Sequence, residues 1–277
     1  MQRSGLHRAF LRFRGTGKNG DAMTDDDVIL SHRLADAAGA AILPYFRAAF
    51  GLEIKPDQSP VTLADRAAES AIRAILEIER PGDGIIGEEY GSVREGAARQ
   101  WVLDPIDGTR AFVAGRPIFG TLIALMEDGV PVLGIIDQPV TRERWLGVVG
   151  RPTLLNGKAC AARKGRALGE AIVATTSPAA FSPATLARFT AVIPAVRDVV
   201  YGGDCYNYGL VASGHIDLVI EAGLKIHDLA ALVPVVEGAG GRMCDWQGRS
   251  LDAASDGNVI AMGDAALAGS VLGLLNV

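Results

Sequence analysis

Cysteine is nearly absent from this 277-residue chain, which holds only Cys160, Cys205 and Cys244. They are widely spaced, odd in number and form no CxxC pair, which excludes zinc-ribbon and dithiol redox motifs. Isolated thiols suit small apolar fillers in a reducing compartment, and the cytoplasm is expected. Long apolar runs are missing as well. The longest uncharged stretch, Ala171 to Ala187, is broken by Pro178 and Pro183, so no spanning helix fits and no membrane partner is expected. Several catalytic signatures also fail. Gly15-Thr16-Gly17-Lys18 lacks the P-loop spacing, Gly238 to Gly241 is not GxGxxG, and neither GxSxG nor HExxH occurs.

Basic charge is scarce and unevenly placed. The net charge is −5, yet residues 1–22 carry five Arg or Lys against Asp21 alone, leaving −9 on the chain from Met23 onward. An acidic body argues against a nucleic-acid partner. It can still bind a phosphate ester when divalent cations supply the positive charge. The Arg-rich start lacks the apolar core of a secretory signal and reads as a disordered leader, 1–22, with Met23 opening the folded part.

What is present is a globular composition, 49% hydrophobic and 21% charged. Thr24 before three aspartates predicts a helix N-cap, with a helical pattern running to Phe50-Gly51. A second helix is predicted over Thr62 to Arg80, with Ala67, Ala71, Ile75 and Ile78 on its apolar face. Gly84–Gly87 and Trp101–Leu103 read as short strands. Ile118–Met126, Val130–Asp137 and Arg144–Val149 read as an antiparallel meander, and Asn156-Gly157 as a hairpin turn. From about residue 170 strands alternate with helices, including a helix over Asp228 to Glu237. The whole predicts a layered α/β (α+β) architecture with an N-terminal α+β lobe over 23–155 and a C-terminal α/β lobe over 156–277 that completes the active site.

The carboxylates stand where they are costly. Glu88 and Glu89 follow the apolar run Gly84–Gly87, Asp104 and Asp107 follow Trp101–Leu103, and Asp228 follows Leu224-Lys225-Ile226-His227. Acids at the ends of buried strands need positive charge beside them, and hard divalent cations take oxygen ligands. In Asp104-Pro105-Ile106-Asp107-Gly108-Thr109, Pro105 forces an extended entry and a sharp turn, so that Asp104 and Asp107 converge. Gly108 permits an unusual φ, and a helical turn opening there presents the N–H groups of Gly108 and Thr109 to a phosphate. Each block alone is ordinary turn or surface chemistry; three such blocks together point to a metal-assisted phosphoester hydrolase.

Gly87-Glu88-Glu89, Asp104 to Thr109, and Asp217 to Gly241 with Asp228 and Glu237-Gly238-Ala239-Gly240-Gly241 resemble, in order and spacing, the inositol monophosphatase superfamily. Trp101–Leu125 and Gly203-Asp204-Cys205-Tyr206 look most like its histidinol-phosphate phosphatases. The resemblance implies an αβαβα sandwich, Mg²⁺ dependence with two or three ions per active site, and a homodimer. It implies that Glu88, Asp104, the Ile106 carbonyl, Asp107 and Asp228 are metal ligands. It implies further that Glu88 and Thr109 orient the attacking water, with Asp65 supporting Thr109. Substrate contacts would then fall to Glu88, Ile106, Asp107, Gly108, Thr109, Gly203, Asp204, Glu221 and Asp228. Lys55 matches a loop position near the metals.

The resemblance implies a small phosphorylated substrate. Histidinol phosphate carries a cationic amine and an imidazole that Asp204 and Glu221 complement; an inositol ring asks for hydroxyl partners instead. L-histidinol phosphate is therefore the expected substrate, with inositol 1-phosphate, or a regulatory binding role in the same family, as the alternatives. The chain departs from the family at His227, where an aromatic residue often precedes the last metal-binding Asp. It reads as a pocket wall, a proton-transfer group or a packed imidazole.

Overall fold

The computed structural model describes residues 23–48, 52–54 and 60–276; the leader 1–22 and Lys55 lie outside them. Helix α1 (Asp25–Ile42) opens as expected, with the Thr24 N–H and hydroxyl both donating to the Asp27 carboxylate, at 2.8 and 3.1 Å. It ends earlier than its pattern predicts. A 3-10 turn, Leu43–Tyr45, replaces the continuation. Pro44 lacks the N–H that a further helical turn needs.

A short hairpin, β1 (Leu52–Ile54) and β2 (Pro60–Thr62), leads into α2 (Leu63–Glu79). The predicted apolar face of α2 is wrong. Ala64, Ala68, Ile72 and Leu76 are buried together with Asp65 and Glu69, while Ile78 is 80% exposed. Two acids share the buried side, so counting apolar residues alone selected a neighbouring face.

Next come β3 (Gly84–Gly87), β4 (Gly91–Val93), β5 (Arg99–Asp107) and the short helix α3 (Thr109–Val113). The meander follows as β6 (Gly120–Glu127), β7 (Val130–Gln138) and β8 (Glu143–Val148), then the hairpin β9 (Leu154–Leu155) and β10 (Lys158–Ala159). These form one eight-stranded sheet in the order β10-β9-β8-β7-β6-β5-β3-β4. The hairpin turn is the predicted one, with Asn156 and Gly157 both at positive φ.

The second half supplies β11 (Ile172–Thr175), α4 (Pro183–Val192), β12 (Asp198–Tyr201), α5 (Tyr206–Ala212) and β13 (Leu218–Glu221). After these come α6 (Ile226–Leu229), α7 (Leu232–Gly238), β14 (Arg242–Asp245), β15 (Val259–Met262) and α8 (Ala268–Leu275). Its five strands form a second sheet, β12-β11-β13-β15-β14. The single helix predicted over Asp228–Glu237 is two, and the first begins ahead of Asp228.

Period-two alternation explains how the layers stack. On β6, Ile123 and Leu125 join the cluster with Leu34, Ile42, Ile72 and Leu76 of α1 and α2. Leu122, Ala124 and Met126 point the other way, to Tyr208 and Val211 of α5 and Leu232 and Val235 of α7. The same cluster includes Ala174, Val219 and Ala261 of the second sheet. That sheet turns Val173, Leu218 and Ile260 outward onto Phe189 of α4 and Val271 of α8. The result is helix, sheet, helix, sheet, helix: the αβαβα sandwich. Helix α7 lies almost on the first sheet. A Cβ on Gly134 would stand 2.0 Å from the Ala231 carbonyl oxygen, and one on Gly147 2.2 Å from the Pro234 carbonyl carbon. Among the described residues, no helix is long and apolar enough to cross a membrane.

Candidate metal centre and phosphate site

Asp104 and Asp107 are three residues apart on one strand, and regular alternation would send them to opposite faces. A bulge prevents this. Asp104 pairs with Leu122 and Asp107 with Gly120, so β5 spends one residue more than β6 over this stretch. Pro105 sits in the irregularity. The bulge carbonyls find donors, the Thr121 hydroxyl reaching the Pro105 oxygen at 2.8 Å and the Thr109 hydroxyl the Ile106 oxygen at 3.1 Å. Gly108 follows with φ 84°, a left-handed conformation that glycine adopts without strain, and caps α3.

The acids converge as the sequence predicts. Carboxylate oxygens of Asp104, Asp107 and Asp228 lie within 4.8 Å of one another, and so do ligand atoms of Glu88, Asp104 and His227. Asp228 reaches the group from the first turn of α6, held by the Lys225 N–H at 2.6 Å. Asp107 accepts the Cys205 N–H at 2.5 Å. Burial, reinforced by Glu88, Asp107 and Asp228, drives the Asp104 carboxyl well above the usual range. Burial likewise raises Asp107, with Asp204 and Asp228 adding to it and the Cys205 N–H opposing. Asp228 is raised by burial and partly relieved by His227. One Asp104 oxygen is buried with no hydrogen-bond partner. An all-oxygen carboxylate set with an orphaned oxygen fits a hard divalent cation. His227 stands beside these acids, its Nε2 3.5 Å from an Asp228 oxygen and within reach of Glu88 and Asp104.

Beside the acids lies a cavity of about 360 Å³ lined by Gly108, Thr109, Arg110, Arg116, Thr176 and Asp204, among others. Asp204 lies directly over Gly108, whose imaginary Cβ would come within 2.8 Å of the Asp204 carboxyl. Burial pushes Asp204 up to about 6, against the pull of Arg116 and Arg110. Gly203 turns at φ 115° just before it. Glu221 is buried behind Thr176. It accepts the Thr176 N–H at 2.9 Å and hydroxyl at 2.5 Å, and the Tyr208 hydroxyl at 3.1 Å. Burial raises it to about 7. Its oxygens already serve three donors, so it shapes the cavity through Thr176. Asp65 is fully buried in the first turn of α2. A larger cavity, about 530 Å³ and lined by residues such as His32, Gly39, Asp137 and Arg144, holds none of the predicted site residues.

Arg110, Arg116 and Thr176 escaped the sequence reading. Arg110 adjoins the Asp-Gly-Thr block, a positional hint; Arg116 and Thr176 reach the cavity only through tertiary folding.

Comparison with known proteins agrees with this geometry. The model of the inositol monophosphatase family matches residues 25–275. The chain belongs to the inositol monophosphatase family. It is 47% identical over 254 residues to the chloroplastic bifunctional phosphatase IMPL2 of Arabidopsis thaliana, covering 88% of this chain and 73% of that one. It is 40% identical over 236 residues to a histidinol-phosphatase of Mycobacterium tuberculosis, covering 82% and 90%. A solved structure of an inositol monophosphatase from Zymomonas mobilis superposes with a TM-score of 0.86 at 55% identity, covering 93% of this chain and all, 100%, of that one. The chain is thus a phosphatase of a metal-dependent family, with the histidinol-phosphatase resemblance supported at moderate identity.

Proposed function

We propose that the chain is a Mg²⁺-dependent phosphomonoesterase hydrolysing L-histidinol phosphate to L-histidinol and phosphate. The observation that carries this is the convergence of four carboxylates beside a cavity whose floor is Gly108 and Thr109 and whose wall is Asp204. Glu88, Asp104, the Ile106 carbonyl, Asp107 and Asp228 would hold two or three Mg²⁺. The bound cations supply Lewis acidity and lower the pKa of water by several units from about 15.7.

This chain's own groups do the rest. Glu88 and Thr109 would orient the attacking water, and Asp65 would support Thr109, whose hydroxyl here donates to the Ile106 carbonyl at 3.1 Å. The N–H groups of Gly108 and Thr109 hold phosphoryl oxygens, because the first amides of a helix have no intrahelical acceptor. Asp204, ionised above about pH 6, faces the leaving alcohol and complements the cationic amine of histidinol. Glu221 and Gly203 fix the cavity wall. Positioning and charge stabilisation then carry the catalysis without a covalent enzyme intermediate.

The histidinol-phosphatases at 36–40% identity support this substrate. The 55% identity to the Zymomonas mobilis inositol monophosphatase favours a second reading, inositol 1-phosphate. Phosphate release with Mg²⁺ from both compounds, measured side by side, separates them. A preference of a hundredfold or more for histidinol phosphate, about 2.7 kcal/mol in the transition state, is expected, and Asp204→Ala is expected to erase it. Equal rates, or a preference for inositol 1-phosphate, would refute the substrate assignment.

We assign Glu88, Asp104 and Asp107 to a lobe built on the eight-stranded sheet, whose last strand runs to Ala159 and so carries the lobe past the expected boundary at 155, and Asp228 to the lobe that follows. A cytoplasmic location fits the three free thiols, and the family resemblance supports a homodimer.

A further inference from the structure

The strand carrying Glu88 ends abruptly. Glu88 makes a last sheet contact, its N–H donating to the Leu103 carbonyl at 3.2 Å, and the chain reverses into β4 with Gly91 paired to Gly87. The amides of Glu89 and Tyr90 therefore leave the sheet ladder. Both find the same acceptor. The Glu69 carboxylate takes the Glu89 N–H at 2.8 Å and the Tyr90 N–H at 3.2 Å.

Glu69 belongs to α2, one helical turn beyond Asp65, and is wholly buried at 0% exposure. Arg73, a further turn along, donates to it at 2.7 Å and also donates to the Gly91 carbonyl. The turn is thus gripped at both ends by one ion pair, whose carboxylate is buried and whose guanidinium is partly open to solvent. Gly87 is what lets Glu69 approach: a Cβ there would stand 2.0 Å from its oxygen. A buried carboxylate with charge-assisted bonds to two successive amides is an expensive device for holding an ordinary surface turn. The turn is not ordinary, because its first residue is Glu88, whose carboxylate meets Asp104 and His227.

We infer that Glu69, locked by Arg73, is the positioning residue for the metal ligand Glu88. It fixes the turn's backbone during folding, so that ordering Glu88 costs nothing when the cation arrives. The inference rests on the metal-dependent reading of the site. Its effect is on cation affinity; neither residue lines the cavity beside the acids.

Mn²⁺ binding to the metal-free protein, followed by electron paramagnetic resonance of the free ion, tests this beside thermal melts and Mg²⁺-activation curves. In Glu69→Gln an amide group must face a donor, and one of the two amide bonds is lost. The dissociation constant for Mn²⁺ and the Mg²⁺ concentration for half-maximal activity are expected to rise about tenfold. The rate at saturating Mg²⁺ should change less than threefold, and the KM for the phosphate ester should not move. Arg73→Ala, at a position partly open to solvent, should give a smaller rise, about threefold, and keeps the test available if Glu69→Gln does not fold. A lowered melting temperature with unchanged Mn²⁺ affinity, in whichever variant folds, would reduce the pair to a structural brace and overturn the inference. Absence of Mn²⁺ binding by the unsubstituted protein would instead overturn the metal reading itself.

Discussion

Asp104 concentrates the tension of the site in one side chain. It is buried among Glu88, Asp107 and Asp228, and its carboxyl is displaced far upward. A carboxyl raised by folding contributes most to stability below its unfolded value near 3.8, and that contribution is lost as pH rises. Near neutral pH the metal-free protein therefore bears the cost of holding this carboxyl among three other acids. Asp104→Asn removes the group whose ionised form the site disfavours. Melting of the metal-free variant should rise at pH 7, by about 2–4 °C for each kcal/mol relieved, while phosphatase activity falls by at least about 10²-fold. An unchanged or lowered melting temperature would show that the acids are not in conflict. Glu221 gives a second titration at this scale. Its value moves from 4.5 unfolded to about 7 folded, so its contribution is complete below about pH 4.5 and gone above about 7. Melts of the metal-free protein from pH 4 to 8 should lose on the order of 3 kcal/mol through this group. Glu221→Gln, lacking the titration, should show a flatter profile; equal slopes would rule the assignment out.

Among the elements, the β5 bulge and helix α7 decide the geometry. The motif from Asp104 to Thr109 was legible because proline and glycine restrict or free the backbone in known ways, and the bulge does what Pro105 suggested. The partners that secure it were not legible. Nothing in the sequence marks Glu69 as buried, and its burial shifts the inner face of α2. Arg116 and Thr176 lie far along the chain from the acids and meet the cavity only once both sheets are stacked. Helix α7 rests on Gly134 and Gly147, where any side chain would meet helix backbone. Gly147→Ala should cost about 1–3 kcal/mol by overpacking, seen as a lower denaturant midpoint. Gly96→Ala, where a Cβ meets nothing within 4 Å, serves as the control and should be near neutral. Equal effects at the two positions would mean that α7 can shift outward freely.

At the level of the whole molecule, α5 and α7 serve both sheets at once. That arrangement has a consequence for the chain while it is still being made. The large sheet is complete in sequence once Ala159 has been added, but the helices that cover its inner face end only at Gly238. At about 5–20 residues per second, a ribosome needs several seconds to cross that interval. Until both α5 and α7 have been made, Leu122, Ala124, Met126 and Ile136, buried in the finished protein, lack their full covering layer. The nascent chain presents that apolar face during the interval, and slowing translation between codons 160 and 238 is expected to lengthen its exposure.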